Sequence, residues 1–180
     1  MTNDVDAIFA LFDRFGDEEY GEAVSQREHA LQVAHFAREA GEGDALVAAA
    51  LLHDVGQLLE GAGAAAEDEG RDARHERSGA NFLRGMFSEE ILAPIRLHVA
   101  AKRYLCAVEA GYLRTLSAAS ALSLSLQGGP FSARQAVRFE RLPHAREAIR
   151  LRRYDDLGKE VELVVPALAT YRDMIETLRL

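Results

Sequence analysis

The sequence predicts an all-α protein, a single helical bundle over residues 1–180. Three observations predict it. Hydrophobic residues make up 48% of the chain and are mostly Ala and Leu, with no Trp, 5 Tyr and 8 Phe, a balance that favours helix packed on helix. Apolar residues recur at helical spacing between recognisable start and stop signals. No stretch alternates apolar and polar residues for long enough to read as a strand. The chain is long enough to bury a sizeable core and holds neither a repeat nor a linker that would divide it.

In order, a first helix is expected from about Val5 to Phe15, stopped by Gly16, with Asp17 to Ala23 as a loop. Ser25-Gln26-Arg27-Glu28 fits a capping box, in which hydroxyl and carboxylate close the first turn. That helix should end at Gly41, which suits a left-handed cap. Asp44 caps the next, running to about Leu59. Glu60 to Arg74, rich in Gly, Ala and acids without periodicity, reads as an exposed loop. A short helix follows from about Glu76 to Arg84, and Ser88 caps another through about Leu105, in which Pro94 predicts a kink or break. Helices are expected over about Tyr112–Leu126, Ala133–Glu140 and His144–Leu157, with Gln127-Gly128-Gly129-Pro130 separating the first two. A last helix, about Pro166 to Leu180, sets Leu168, Tyr171, Ile175 and Leu178 on one packing face.

The net charge of -8 argues against a nucleic-acid partner, because neutralising phosphates takes clustered Lys and Arg. A small anionic substrate stays compatible, since a few local cations outweigh a distant acidic surface. Cys106 is the only cysteine, which excludes an internal disulfide and a Cys-based zinc site. The N-terminus is acidic where a signal peptide is basic, and the longest apolar run, Ala45 to Leu52, is too short for a bilayer. The expectation is a cytoplasmic protein with no membrane contact. Nothing in the sequence specifies an oligomeric state.

The residues that carry chemistry are histidines. His53-Asp54 sits near the end of an apolar helix, an adjacent imidazole and carboxylate able to bind one metal or bridge two. His29, His75 and His98 lie in three other helices or at their starts, at intervals of 22 to 24 residues, about one helix and turn each. That period brings successive histidines to one level of a bundle, and His29 shares a stripe with Val33 and Phe36 as His53 does with Leu46 and Ala49. One such histidine is more often a hydrogen-bonded core residue; four in series with an adjacent Asp point to metal. His35 and His144 fall outside the series and read as surface residues. Asp155 and Asp156 follow the basic run Arg150-Leu151-Arg152-Arg153, and the local pattern fits a solvated face as well as a ligand.

With these residues assembled, the chain resembles the HD-domain superfamily, whose helical bundles bind metal through a His, an adjacent His-Asp pair and a later Asp, here His29, His53-Asp54 and Asp155. A narrower likeness is to the PhnZ-type mixed-valent diiron oxygenases. It rests on Tyr20-Gly21-Glu22-Ala23-Val24-Ser25-Gln26-Arg27-Glu28-His29, His53-Asp54-Val55-Gly56-Gln57, His98-Val99-Ala100-Ala101-Lys102-Arg103-Tyr104-Leu105, Leu126-Gln127-Gly128-Gly129-Pro130 and Arg150-Leu151-Arg152-Arg153-Tyr154-Asp155-Asp156. The resemblance implies a cofactor of two iron ions, Fe(II) and Fe(III), with dioxygen as co-substrate. It implies His29, His53 and Asp155 on one iron, His75 and His98 on the other, and Asp54 bridging. It implies oxidative cleavage of the carbon–phosphorus bond of a 1-hydroxyphosphonate. It carries over Lys102, Ser120 and Arg152 as contacts to that organophosphonate; Lys102 follows His98 by four residues and Arg152 precedes Asp155 by three, each on its ligand's helical face.

The sequence departs from the family where some members have a second His, here Gln57. That position can face the substrate's amine end; Tyr20 stands for a lid tyrosine before the first ligand helix, and Glu22 either meets a cationic substrate tail or is simply a loop carboxylate, the expected substrate carrying a polar or cationic substituent at C2. The rival activity is that of a metal-dependent HD phosphohydrolase acting on a phosphomonoester or nucleotide, where metal-bound hydroxide attacks and the same cations hold phosphate.

Overall fold

The computed structural model describes residues 4–19, 22–60 and 72–180. The expected all-α architecture is what it shows. Among the described residues there is no strand, only isolated bridges between Glu19 and Ser25 and between Arg84 and Phe87. In chain order the α-helices are α1 (Val5–Phe15), α2 (Gln26–Glu39), α3 (Asp44–Leu52), α4 (Val55–Glu60), α5 (His75–Phe82), α6 (Glu89–Val108), α7 (Ala118–Leu126), α8 (Ala133–Glu140), α9 (Ala145–Leu157) and α10 (Arg172–Thr177); 3-10 turns cover Tyr112–Thr115 and Leu168–Tyr171.

Local chemistry explains most boundaries. The capping box on α2 is formed in full, with the Ser25 hydroxyl accepting from the Glu28 amide and the Glu28 carboxylate accepting from the Ser25 amide. Its far end closes through Gly41 at φ 79, with the Gly41 amide donating to Arg38 and the Glu42 amide to Ala37. Asp44 is not the cap of α3: Gly43 holds that position without a side-chain bond, and Asp44 occupies the first turn, where its charge suits the helix dipole.

Four expected elements differ from those observed. The helix foreseen from Asp44 to Leu59 is interrupted at His53-Asp54, which form a turn between α3 and α4. His53 itself keeps helical backbone angles, φ -60 and ψ -34, as the C-cap of α3, so the interruption lies in the hydrogen bonding at the junction. Pro94 lies inside α6 without breaking it. It falls in the second turn, and the carbonyl it leaves without an amide belongs to exposed Glu90, which water can serve. The helix foreseen from Tyr112 to Leu126 is a 3-10 turn followed by α7, whose true cap is Ser117, accepting from the Ser120 amide. The last helix is shorter than expected, yet its packing face holds: Tyr171 and Ile175 are fully buried and Leu168 and Leu178 partly so. The loop expected from Glu60 to Arg74 lies largely outside the described residues, as does Tyr20.

The 20-residue α6 spans about 30 Å at 1.5 Å per residue and is the spine. Helices α3, α5 and α9 pack on it, α2 lies against both α3 and α9, and α4 against α5. The apolar run read in the sequence is α3, buried from Leu46 to Leu52, and no helix among the described residues is long and apolar enough to cross a membrane. Where α4 meets α5 the backbones nearly touch: a Cβ on Gly56 would stand 2.0 Å from the His75 carbonyl oxygen. Gly56→Ala is therefore expected to lower stability by about 1–3 kcal/mol, the usual cost of overpacking, and to displace His75. Urea unfolding reads the first effect, and an unchanged midpoint would contradict the close crossing.

Candidate metal centre

The bundle brings His29, His53, Asp54, His75, His98 and Asp155 to one place. His29 comes from α2, His53 and Asp54 from the α3–α4 turn, His75 from the start of α5, His98 from the middle of α6 and Asp155 from α9. His29, His53 and His98 are essentially inaccessible to solvent, and Asp54 and Asp155 are buried.

Two ligand groups share one carboxylate. In His29, His53 and Asp54, and again in Asp54, His75 and His98, the candidate ligand atoms all lie within 4.8 Å of one another. Asp54 Oδ2 stands 3.5 Å from His53 Nε2 and 3.8 Å from His29 Nε2, while Oδ1 stands 3.2 Å from His75 Nε2 and 3.6 Å from His98 Nε2. Asp155 Oδ1 completes the first group, 3.4 Å from His29 Nε2 and 4.0 Å from His53 Nε2.

Hydrogen bonds behind the rings decide which nitrogen is bare. His29 Nδ1 donates to the Gly158 carbonyl at 2.7 Å, His53 Nδ1 to Ala50 at 2.8 Å and His98 Nδ1 to Ile95 at 2.7 Å. A carbonyl can only accept, so each Nδ1 carries the hydrogen and each Nε2 keeps its lone pair. The Nε2 atoms of His29 and His53 converge to 3.2 Å, and the Nε2 of His98 stands 3.1 Å from that of His75. Lone pairs that face each other at such distances repel unless a cation lies between them, and a backbone carbonyl behind a ligating imidazole is the usual partner at metal sites. The residues therefore fit a pair of metal ions. Gly158 contributes through its missing side chain, since a Cβ there would meet Val33 at 2.4 Å and His29 Nδ1 at 3.2 Å.

The electrostatics differ between the rings: burial lowers His53, whereas at His29 and His75 burial is outweighed by Asp155 and Asp54 respectively, and both are raised. Burial pulls His98 down to about 3, which keeps it neutral and ligand-competent. Burial acts to raise Asp54 and Asp155, but the imidazoles around Asp54 and the Arg152 guanidinium beside Asp155 outweigh it and hold both well below the usual carboxylate range.

A cleft opens over the Asp54–His75–His98 side, lined also by Glu22, Gln57, Lys102, Ser120, Ser123, Arg152 and Lys159. Lys102 and Arg152 are each only 3% exposed, so these are buried cations rather than snorkelling ones. Lys102 Nζ donates to Ser123 Oγ at 2.7 Å. Arg152 is gripped from several sides: Nη1 donates to Asp155 at 2.5 Å, Nη2 to Asp156 and, at 3.4 Å, to Ser120 Oγ, and Nε to the Tyr112 hydroxyl at 3.1 Å. Tyr112 in turn donates to Asp156 at 2.5 Å. Asp156 thus orients the arginine, while Asp155 faces the histidines. Gln57 donates to Asp54 Oδ2 at 3.1 Å and accepts from Gln26 at 3.4 Å. His35 and His144 lie outside both groups.

Sequence reading misses Lys159, Ser123 and the Tyr112–Asp156 brace. Lys159 follows the end of α9 at Gly158, beyond any helical periodicity, and nothing local marks it. It also changes the reading of Glu22, which pairs with Lys159 instead of presenting a free carboxylate.

A family model described as HD domain matches residues 27–127. Asp155, Arg152 and Lys159 lie beyond that stretch and reach the cleft because α9 packs on α6 and α2. Over 177 residues the chain is 40% identical to a 1-hydroxy-2-(trimethylamino)ethyl phosphonate dioxygenase (glycine-betaine-forming) of Leisingera caerulea, covering 98% of this chain and 90% of that protein. Over 178 residues it is 40% identical to a hydroxymethylphosphonate dioxygenase of Gimesia maris, covering 96% of this chain and 87% of that one. An uncharacterized protein of Acanthamoeba polyphaga mimivirus is 34% identical over 183 residues, with 99% and 83% covered.

Proposed function

The chain belongs to the HD-domain family, and from that premise we propose that it uses dioxygen to cleave the carbon–phosphorus bond of a small 1-hydroxyphosphonate, releasing phosphate and a carboxylic acid. In this reading residues 1–180 act as one HD domain. His29, His53 and Asp155 hold one iron, His75 and His98 the other, and Asp54 bridges them. The observation that carries it is Asp54, with each carboxylate oxygen turned to a different pair of converging imidazoles. Imidazole and carboxylate ligands suit iron, and two relatives of 40% identity over almost the whole chain are named phosphonate dioxygenases.

When bound, the iron pair supplies dioxygen activation and the oxidation of the hydroxyl-bearing carbon, which no side chain here can perform. The protein's part is to bind, orient and keep water out. Lys102 and Arg152, buried on two walls of the cleft, neutralise the phosphonate, and burial strengthens both interactions. The Ser120 hydroxyl accepts from Arg152 and keeps its own hydrogen to donate to a phosphonate oxygen. Because Asp155, Asp156 and Tyr112 already hold Arg152, little is spent on ordering it when substrate arrives. Val99 and Ala119 give the cleft its apolar wall. One hydroxyphosphonate and one dioxygen account for every oxygen in the phosphate and the carboxylate formed.

The test is phosphate release by the iron-loaded protein from hydroxymethylphosphonate, in air and under argon. Release should require air. Equal rates under argon, or release from a nucleoside monophosphate instead, would transfer the site to metal-hydroxide hydrolysis. The two named relatives differ in the substrate tail, a trimethylamino group in one and none in the other, and this chain is 40% identical to both. Overall similarity therefore leaves the tail to be decided by the residues of the cleft.

A further inference from the structure

Building on the phosphonate reading, we propose that Lys159 makes this cleft select a substrate whose tail carries no positive charge. Among the described residues, the carboxylates lining the cleft are Glu22, Asp54 and Asp155. Asp54 and Asp155 face the histidines, and Asp155 also holds Arg152. Glu22 is the carboxylate left to meet a cationic tail, and Lys159 already occupies it.

The pairing is close and enclosed. Lys159 Nζ donates to Glu22 Oε1 at 2.6 Å, and the Ser117 hydroxyl donates to the same oxygen at 2.6 Å. Both side chains are largely withdrawn from solvent, at 10% exposure for Glu22 and 17% for Lys159. The remaining two hydrogens of the ammonium go to Ser117 Oγ and Ser120 Oγ, each at 3.0 Å, so all three donors are used. Ser117 is fixed in turn as the cap of α7, where it accepts from the Ser120 amide. Lys159 and Ser117 thus take Glu22 Oε1, and the lysine neutralises the charge that an incoming ammonium would need.

Lys102 and Arg152 draw in the phosphonate, and the Lys159–Glu22 pair leaves no net negative charge at Glu22 to attract a second cation. Gln57, also in the lining, is neutral, and both ends of its amide are engaged with Asp54 and Gln26. The arrangement suits a hydrogen, an alkyl or a hydroxyalkyl group on the hydroxyl-bearing carbon.

The experiment compares two substrates that differ only in tail charge, 1-hydroxypropylphosphonate and 2-amino-1-hydroxyethylphosphonate, in which a methyl stands where the other has an ammonium. Calorimetric titration into the iron-loaded full chain under argon reads affinity, and phosphate release in air reads turnover separately. The wild-type protein should bind the compound with the neutral tail at least about tenfold more tightly. Lys159→Met frees Glu22 and should shift the affinity ratio toward the ammonium compound by at least about tenfold, whereas Lys159→Arg keeps the pairing and should hold the ratio. A wild-type preference for the ammonium compound, or a ratio unmoved in Lys159→Met, overturns the proposal. Discrimination in binding without phosphate release in air would leave the tail preference standing and remove the oxygenase reading; no binding of either compound removes both.

Discussion

Replacing Asp54 with Ala is expected to strip both metal ions from the protein and abolish phosphate release. Its two oxygens serve the two histidine pairs separately, so a single truncation removes an arm from each. Losing a partner that merely orients a ligand costs about 10–100-fold in metal affinity, and a shared ligand should exceed that for both ions. His98→Ala makes the contrast, because the His98 Nε2 faces His75 and Asp54 Oδ1, and its loss should leave close to one metal per chain. Elemental analysis of the two variants beside wild type distinguishes them. Metal bound to the folded state also stabilises it, so chelation should lower the wild-type Tm and leave Asp54→Ala unchanged. Wild-type metal content in Asp54→Ala, or a single zinc indifferent to loss of His98, would dismantle the two-ion centre.

Lys102→Met and Arg152→Met are expected to weaken substrate binding by about 2–5 kcal/mol each, the cost of leaving one member of a buried charge pair alone, which exceeds tenfold in kcat/KM. Lys102→Met should keep both metals, since its direct partner is Ser123. Arg152→Met should cost more, because Asp155 and Asp156 lose the guanidinium they share and Asp155 also faces His29. The pH dependence separates the two. Burial, with Arg152 nearby, pulls Lys102 down to about 8. Its positive charge is present below that value and lost above it, so kcat/KM should fall as the pH climbs through about 8, and Lys102→Met should lack that limb. Arg152 is held charged at any working pH: burial opposes its charge, but Asp155 and Asp156 outweigh it. Kinetics identical to wild type in both variants would remove these cations from the substrate cleft.

The features legible along the chain are those that depend on near neighbours. The Ser25 capping box and the Gly41 cap bound α2, because hydroxyl, carboxylate and left-handed glycine act within a turn or two. His29, His53, His75 and His98 are legible as one group because a helix and turn per ligand sets a regular spacing, and Asp54 because it adjoins His53. Local pattern loses force where tertiary contacts compete with it. It misses the turn that splits the helix at His53-Asp54, the 3-10 turn before α7 and the tolerance of Pro94, each fixed by what the segment packs against or exposes. It leaves Asp155 balanced between ligand and surface, and the packing of α9 on α2 and α6 puts that residue against His29. Only the tertiary structure decided the state of Glu22. Its partners are Ser117, 95 residues away, and Lys159, 137 residues away, and no periodicity or spacing connects positions so distant. A carboxylate in a loop reads as available to a ligand until the fold sets a lysine beside it, because charge is written in the sequence while its neutralisation depends on which chain segments meet.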